Sequence, residues 1–165
     1  MAMRTIVAVP ARLESSRLPR KVLADIGGKP MLQRVLEACR QAESPAAVVL
    51  CTDSEELMEA AKRWGCQALL TSPACSSGSD RLASVVEPLV ALGGGAAAET
   101  LVVNVQGDQP FLDPAVIDAM TAEFARRTPL PEVLTPIYRM GADKVHNPNV
   151  VKTLVSSDGR ALYFS

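Results

Sequence analysis

Two apolar rhythms alternate along this chain. Thr5–Val9, Ala46–Cys51, Gln67–Leu70 and Thr100–Val105 are short apolar runs of strand length. Between them the period lengthens to that of a helix. Met31–Ala42 carries Met31, Leu32, Val35, Leu36 and Cys39 on one stripe. Ser54–Trp64 opens with Ser54 ahead of Glu55 and Glu56, a good cap and dipole arrangement, and Gly65 stops it. Met58 and Trp64 fall on a helical face and are expected in the core. Arg81–Leu92 predicts a third helix, ending at a Gly93-Gly94-Gly95 solvent loop. Asp113 and Pro114 open a fourth, running to about Arg126, with Asp at the N-cap and Pro at the first helical position. Strands alternating with helices are the pattern of an α/β fold with a mostly parallel sheet and flanking helices.

The last forty or so residues change character. Glu132–Tyr138 and Asn149–Val155 are expected as strands. Ser157-Asp158-Gly159 is a turn signal for a C-terminal β-hairpin between Val150–Val155 and Arg160–Phe164. The chain stops at Ser165, just after that second hairpin strand has begun. The expectation is a single domain over residues 1–165, truncated at its C-terminus.

Composition narrows the classes. At 165 residues the chain can bury a real core; 48% of it is apolar and 21% charged, ordinary for a soluble globular protein. A net charge of −1 excludes a general nucleic-acid binder, which needs a surplus of Lys and Arg. No apolar segment approaches the length that crosses a bilayer, and Arg4 interrupts a very short apolar start that has no cleavage site. Cys39, Cys51, Cys66 and Cys75 lack CxxC spacing and paired histidines, which excludes a zinc site and points to reduced thiols in the cytoplasm.

The positive charge is local. Val9–Lys21 leaves the carboxyl end of the first strand and places Arg12, Arg17, Arg20 and Lys21 in one loop, opposed by Glu14. Ligands of α/β sheets bind at the carboxyl ends of strands. Pro10 and Pro19 restrict the loop, and guanidinium and ammonium groups suit phosphate oxygens. The loop therefore predicts a polyanion site, the triphosphate of a nucleotide. Neither a Walker A pattern nor GxGxxG is present. A second signal is Val102–Pro110, where an apolar strand ends in Gly107-Asp108. This puts a carboxylate on the same rim, suited to Mg²⁺, although Gly-Asp is also ordinary turn chemistry. The third is Thr71–Arg81, whose small hydroxyls and Gly78 permit close approach to a flat base, with Arg81 as a donor. Equally, Ser79 could cap the helix and Asp80 complement its dipole. His146, the only histidine, and Asn147, Asn149 and Lys152 are expected at the surface.

Taken together, the chain resembles the 3-deoxy-manno-octulosonate cytidylyltransferases (CMP-Kdo synthetases), sugar-activating enzymes of lipopolysaccharide synthesis. The similarity runs over essentially its whole length. It is carried by Pro10-Ala11-Arg12 with Ser16-Arg17-Leu18-Pro19 and Lys21, by Ile26–Met31, and by Thr52-Asp53. Further on come Ser77–Leu82, Val103–Asp108, Asn147–Lys152 and Leu162–Ser165. The resemblance implies a glycosyltransferase-A-like nucleotidyltransferase fold, CTP and 3-deoxy-manno-octulosonate as substrates, Mg²⁺ as cofactor, and a homodimer at full length. It implies that Ala11, Arg12, Arg17 and Lys21 hold the triphosphate end. Ser77, Gly78 and Arg81 would help recognise cytosine, Gln106 would lie against substrate, and Asp108 would bind metal; Arg12, Lys21 and Asp108 are the implied catalytic set. Three departures stand out. Cys75 replaces a His common in relatives, Gln109 replaces the Glu of Gly-Asp-Glu-Pro, and relatives continue well past Tyr163-Phe164-Ser165, where an Arg for the sugar acid and a second metal-binding Asp are expected.

Overall fold

A computed structural model describes residues 3–15 and 18–165. Four parallel strands, β1 (Arg4–Ala11), β2 (Pro45–Thr52), β3 (Gln67–Leu70) and β4 (Thr100–Asn104), form a sheet in the order β3-β2-β1-β4. Among the described residues, five α-helices accompany it: α1 (Met31–Cys39), α2 (Glu55–Arg63), α3 (Gly78–Ala83), α4 (Val86–Gly93) and α5 (Pro114–Arg126).

The run of apolar residues in β1 has a simple cause: both of its faces are covered. Val7, Val9 and Ala11 join one core with Leu32, Val35, Leu36 and Cys39 of α1, Leu57 and Ala61 of α2, and Ile117 of α5. Ile6 and Ala8 point the other way, to Leu82, Val85 and Leu89. A parallel strand sandwiched between helices loses the polar half of the usual alternation. Register shapes the rim. β1 pairs with β2 as far as Ala11↔Thr52, but with β4 only as far as Ala8↔Asn104. Beyond Ala8, β1 and β4 part, which opens a crevice between them and lets Pro10 occupy a strand without costing a ladder bond to β4.

Helix boundaries bear out most expectations, with corrections around α3 and α4. Residues 81–92 do not form a single helix. α3 begins at Gly78 with Ser77, not Ser79, as its cap: the Ser77 hydroxyl accepts from the Asp80 N–H at 3.1 Å. The chain breaks at Ser84–Val85 before α4. Pro88 explains the break, because in one continuous helix its ring would clash with the carbonyl of Ser84. Placed in the first turn of α4 it is harmless. The Ser84 hydroxyl donates instead to the Arg81 carbonyl at 2.8 Å. Nor is the glycine triplet simply a solvent loop. Gly93 is the last residue of α4 and is buried against β1, where an added Cβ would lie 2.4 Å from Ile6 Cδ1. Gly94 follows in the left-handed conformation at φ 69° and ends the helix. Trp64 is half-buried against the first core, and Met58 is half-buried as well.

The chain divides into two compact units, Met1–Leu130 and Pro131–Ser165. The second contains the expected antiparallel hairpin, β5 (Thr153–Val155) and β6 (Ala161–Phe164). Glu132–Tyr138 is not a strand. Pro136 removes a backbone donor from the middle of that run, and Val133, Ile137 and Tyr138 are exposed. The strand expected over Asn149–Val155 shortens to β5.

Candidate active site

From β1 the chain steps outward to β2 and β3, then returns to the other side of β1 as β4. The carboxyl ends of β1 and β4 thus flank the point where strand order reverses, the place where open α/β sheets bind ligands. A cavity of about 290 Å³ lies there. Its walls come from Pro10 and Ala11 at the end of β1 with Arg12, Glu14 and Lys21 after it, from Cys75–Gly78 and Arg81 around the start of α3, and from Gln106, Gly107 and Asp108 after β4. The three stretches singled out in the sequence therefore line one space. Arg17 lies outside the described residues.

Two glycines permit this convergence. A Cβ on Gly107 would sit 3.1 Å from the Pro10 carbonyl oxygen and 3.1 Å from Ala11 Cβ, so only glycine lets the two strand ends close on each other without displacement. A Cβ on Gly78 would lie 3.1 Å from Pro10 Cγ and 3.4 Å from Gln106 Oε1, so the start of α3 is drawn against the same rim.

Charge is arranged unevenly around the cavity. Lys21 opens a short 3₁₀ turn (Lys21–Leu23), and its Nζ donates to Asp108 Oδ2 at 2.7 Å. Arg12 is exposed at the mouth. Arg20, in the left-handed region at φ 56°, turns away to Glu56 on α2, which hydrogen-bonds its guanidinium and raises its pKa further above the usual arginine value. Arg20 is thereby diverted from the polyanion-binding set. Asp80 accepts from the Ser76 hydroxyl and is held below the ordinary carboxylate range, first by that hydrogen bond and then by Ser77. Gln106 Nε2 donates to Asn104 Oδ1 at 3.0 Å.

Arg81 lines the cavity but is only 4% exposed. Its Nη2 donates to Asp53 Oδ2 at 2.8 Å and its Nη1 to Thr71 Oγ1. Thr71 opens the third stretch read from the sequence and Asp53 belongs to the Thr52-Asp53 pair of the resemblance, but neither carries a named site role there. The usable signal was position: Asp53 directly follows β2, as Arg12 follows β1 and Gly107-Asp108 closely follows β4. Cys75 sits half-buried at the rim, its thiol donating to the Ser84 hydroxyl at 3.7 Å. In the second unit His146 is exposed, the Asn147 side chain accepts from the Asn149 N–H at 2.9 Å, and Lys152 Nζ donates to the Asn147 carbonyl at 3.0 Å.

Among the described residues no cluster of three or more His, Cys, Asp or Glu side chains could hold a metal. Asp108 offers a hard, accessible carboxylate in direct contact with Lys21, and the exposed Glu14 lines the same cavity. That donor set does not suit an all-protein cage, but it does fit Mg²⁺, which keeps several waters and completes its shell with substrate phosphates. No helix among the described residues is long and apolar enough to cross a membrane.

The parallel sheet, its rim cavity and the cations beside it form the ligand-binding arrangement of an open α/β domain. The cytidylyltransferase family model matches residues 6–165, and the chain belongs to that family. It is 43% identical over 161 residues to the 3-deoxy-manno-octulosonate cytidylyltransferase of Cellvibrio japonicus, covering 96% of this chain and 60% of that protein. To the protein of the same name from Chloroherpeton thalassium it is 37% identical over 165 residues, covering 99% of this chain and 64% of the relative. A solved structure of CMP:2-keto-3-deoxy-manno-octonic acid synthetase complexed with CTP superposes with a TM-score of 0.84 at 31% identity, over 98% of this chain and 64% of that one. The chain thus spans a little over three-fifths of the length of these relatives.

Proposed function

We propose that this chain carries the nucleotide half of a cytidylyltransferase that activates 3-deoxy-manno-octulosonate with CTP, releasing CMP-3-deoxy-manno-octulosonate and pyrophosphate for lipopolysaccharide synthesis. The observation that carries the reading is the convergence of the Arg12–Lys21 loop, the start of α3 and Gln106–Asp108 on one cavity at the switch point of the sheet. The names of its relatives support the substrate pair. The reading includes a homodimer in the cytoplasm; the free cysteines, three of them buried, suit a reducing compartment.

In the proposed reaction the anomeric hydroxyl oxygen attacks the α-phosphorus, a new P–O bond forms, the bond to the departing pyrophosphate breaks in line with it, and the hydroxyl proton passes to water. Most of the barrier to such a step is lowered by positioning and charge neutralisation. Ala11 and Arg12 would hold the triphosphate at the end of β1, with Arg17 from the same loop, and Arg12 and Lys21 would offset charge on the α-phosphate and leaving group. Ser77, Gly78 and Arg81 would form the wall against the cytosine, and Gln106 would face the substrate between the two ends. Asp108 would hold Mg²⁺, which supplies Lewis-acid polarisation of the phosphate when bound.

Pyrophosphate release from CTP and the sugar, compared with Asp108→Ala, tests the proposal. The variant is expected to lose at least about a hundredfold in rate, the scale of removing one electrostatic contributor to the reacting centre. Equal rates would remove the metal role from Asp108. A second reading rests on the nucleotide cavity alone: a nucleotide-binding module that holds CTP without turnover. CTP binding with no pyrophosphate release would establish it. A third is a cytidylyltransferase for a sialic acid; the Asn147–Lys152 segment favours the octulosonate, and rates with the two sugars at equal concentration decide between them.

A further inference from the structure

Arg81 is the only charged side chain among the described residues that is almost wholly buried. A guanidinium withdrawn from water is costly unless it is paired and hydrogen-bonded. Both services come from outside the nucleotide cavity. Asp53 lines a neighbouring cavity of about 450 Å³ and is absent from the walls of the first, whereas Arg81 lines both and forms part of the partition between them. Asp53 follows the last residue of β2, and Thr71 follows the last residue of β3. The Thr71 N–H donates to the Thr52 carbonyl at 2.8 Å, so the two acceptors are tied to one edge of the sheet.

We propose that Asp53, assisted by Thr71, is a positioning residue for the nucleoside end of the site, acting through Arg81. The inference rests on the nucleotide reading given above. A guanidinium whose terminal nitrogens are committed to a carboxylate and a hydroxyl has little net charge left for phosphate. What it provides is a fixed wall. Arg81 lies on α3, whose first turn holds Ser77 and Gly78 against Pro10 and Gln106. The Asp53–Arg81 pair therefore anchors the short helix that forms the base-facing side, while Arg12, exposed on the loop after β1, and Lys21, once Asp108 releases it, carry the charge for the phosphates.

The test is direct binding to the 165-residue chain by calorimetry, with CTP and inorganic tripolyphosphate as probes. Tripolyphosphate reads the phosphate end alone. Asp53→Asn is expected to weaken CTP about tenfold, as the loss of one charged hydrogen bond would, and to leave tripolyphosphate within about twofold. In the Arg81→Ala background the same substitution is expected to change CTP binding by less than about twofold, the non-additivity of residues that act as a unit. Unchanged CTP binding, or a parallel loss of both probes, would overturn the proposal; the second result would mark Asp53 as merely structural. Where Asp53→Asn does not fold, Thr71→Val carries the test, with a smaller loss confined to CTP as the supporting outcome. A wild-type chain that binds neither probe would instead sink the nucleotide reading itself.

Discussion

Lys21 and Asp108 meet at 2.7 Å with both side chains more than a third exposed. An ion pair in that setting adds no more than about 1 kcal/mol to stability. Its importance is competitive. The ammonium proposed to meet the triphosphate is held by the carboxylate proposed to hold the metal, so each is released when its own ligand arrives. Removing the carboxylate charge should therefore help the nucleotide when no metal is present. Asp108→Asn frees Lys21 and takes one negative charge out of the cavity, an effect of about 1 kcal/mol at these separations in a largely aqueous setting, or about fivefold. Calorimetry in excess EDTA is expected to show CTP binding to Asp108→Asn about fivefold tighter than to wild type, although that variant is slower in catalysis. Wild-type affinity under those conditions would show that the two charges do not compete.

Secondary-structure elements here are set by a few punctuating residues, and Gly93 is one that a single methyl group can test. Its added Cβ would fall 2.4 Å from Cδ1 and 2.7 Å from Cγ1 of Ile6, a side chain with no exposure. Gly93→Ala should cost about 1–3 kcal/mol through overpacking, read by chemical denaturation. Combined with Ile6→Val, which removes the nearest atom, it should cost less than the sum of the two single changes; additivity would show that the contact is relieved elsewhere. The same elements show what the chain reveals before folding. β1 and β4 were legible because helices cover both faces of β1, leaving an uninterrupted apolar run, and their ends were legible as a site because Arg12 directly follows β1 and Gly107-Asp108 closely follows β4. α5 was legible from Asp113, whose side chain accepts from the Ala115 N–H at 2.9 Å, and from Pro114 beside it. The break between α3 and α4 was obscured by an apolar stripe that continues across it, although Pro88 forbids a single helix. The pairing of Asp53 with Arg81 could not be read at all. The two are 28 residues apart, and only the placement of α3 against the ends of β2 and β3 brings them together.

At the scale of the whole molecule, the first unit, Met1–Leu130, contains both apolar clusters, one on each face of the parallel sheet. The first encloses two thiols, Cys39 and Cys66, and the second encloses Cys51. Burial pushes Cys39 and Cys51 up to about 12 from an ordinary value of 9.0, and burial raises Cys66 as well. These shifts tie global stability to alkaline pH with a definite sign. Between pH 9 and about 12 the unfolded chain has released the protons that the native state still holds. The difference in bound protons, unfolded minus native, is then negative, so the unfolding free energy falls as pH rises. Each thiol contributes a slope of about 1.4 kcal/mol per pH unit in that window. The contribution is fully present below pH 9 and is lost as pH rises through about 12. Denaturant titrations at pH 8 and pH 10.5 are expected to show a drop of several kcal/mol in the wild type. Alanine at both Cys39 and Cys51 lowers stability at pH 8 by leaving small cavities, yet should flatten the pH dependence. An unchanged slope in that double variant would assign the alkaline loss to other groups and deny the two buried thiols their part in it.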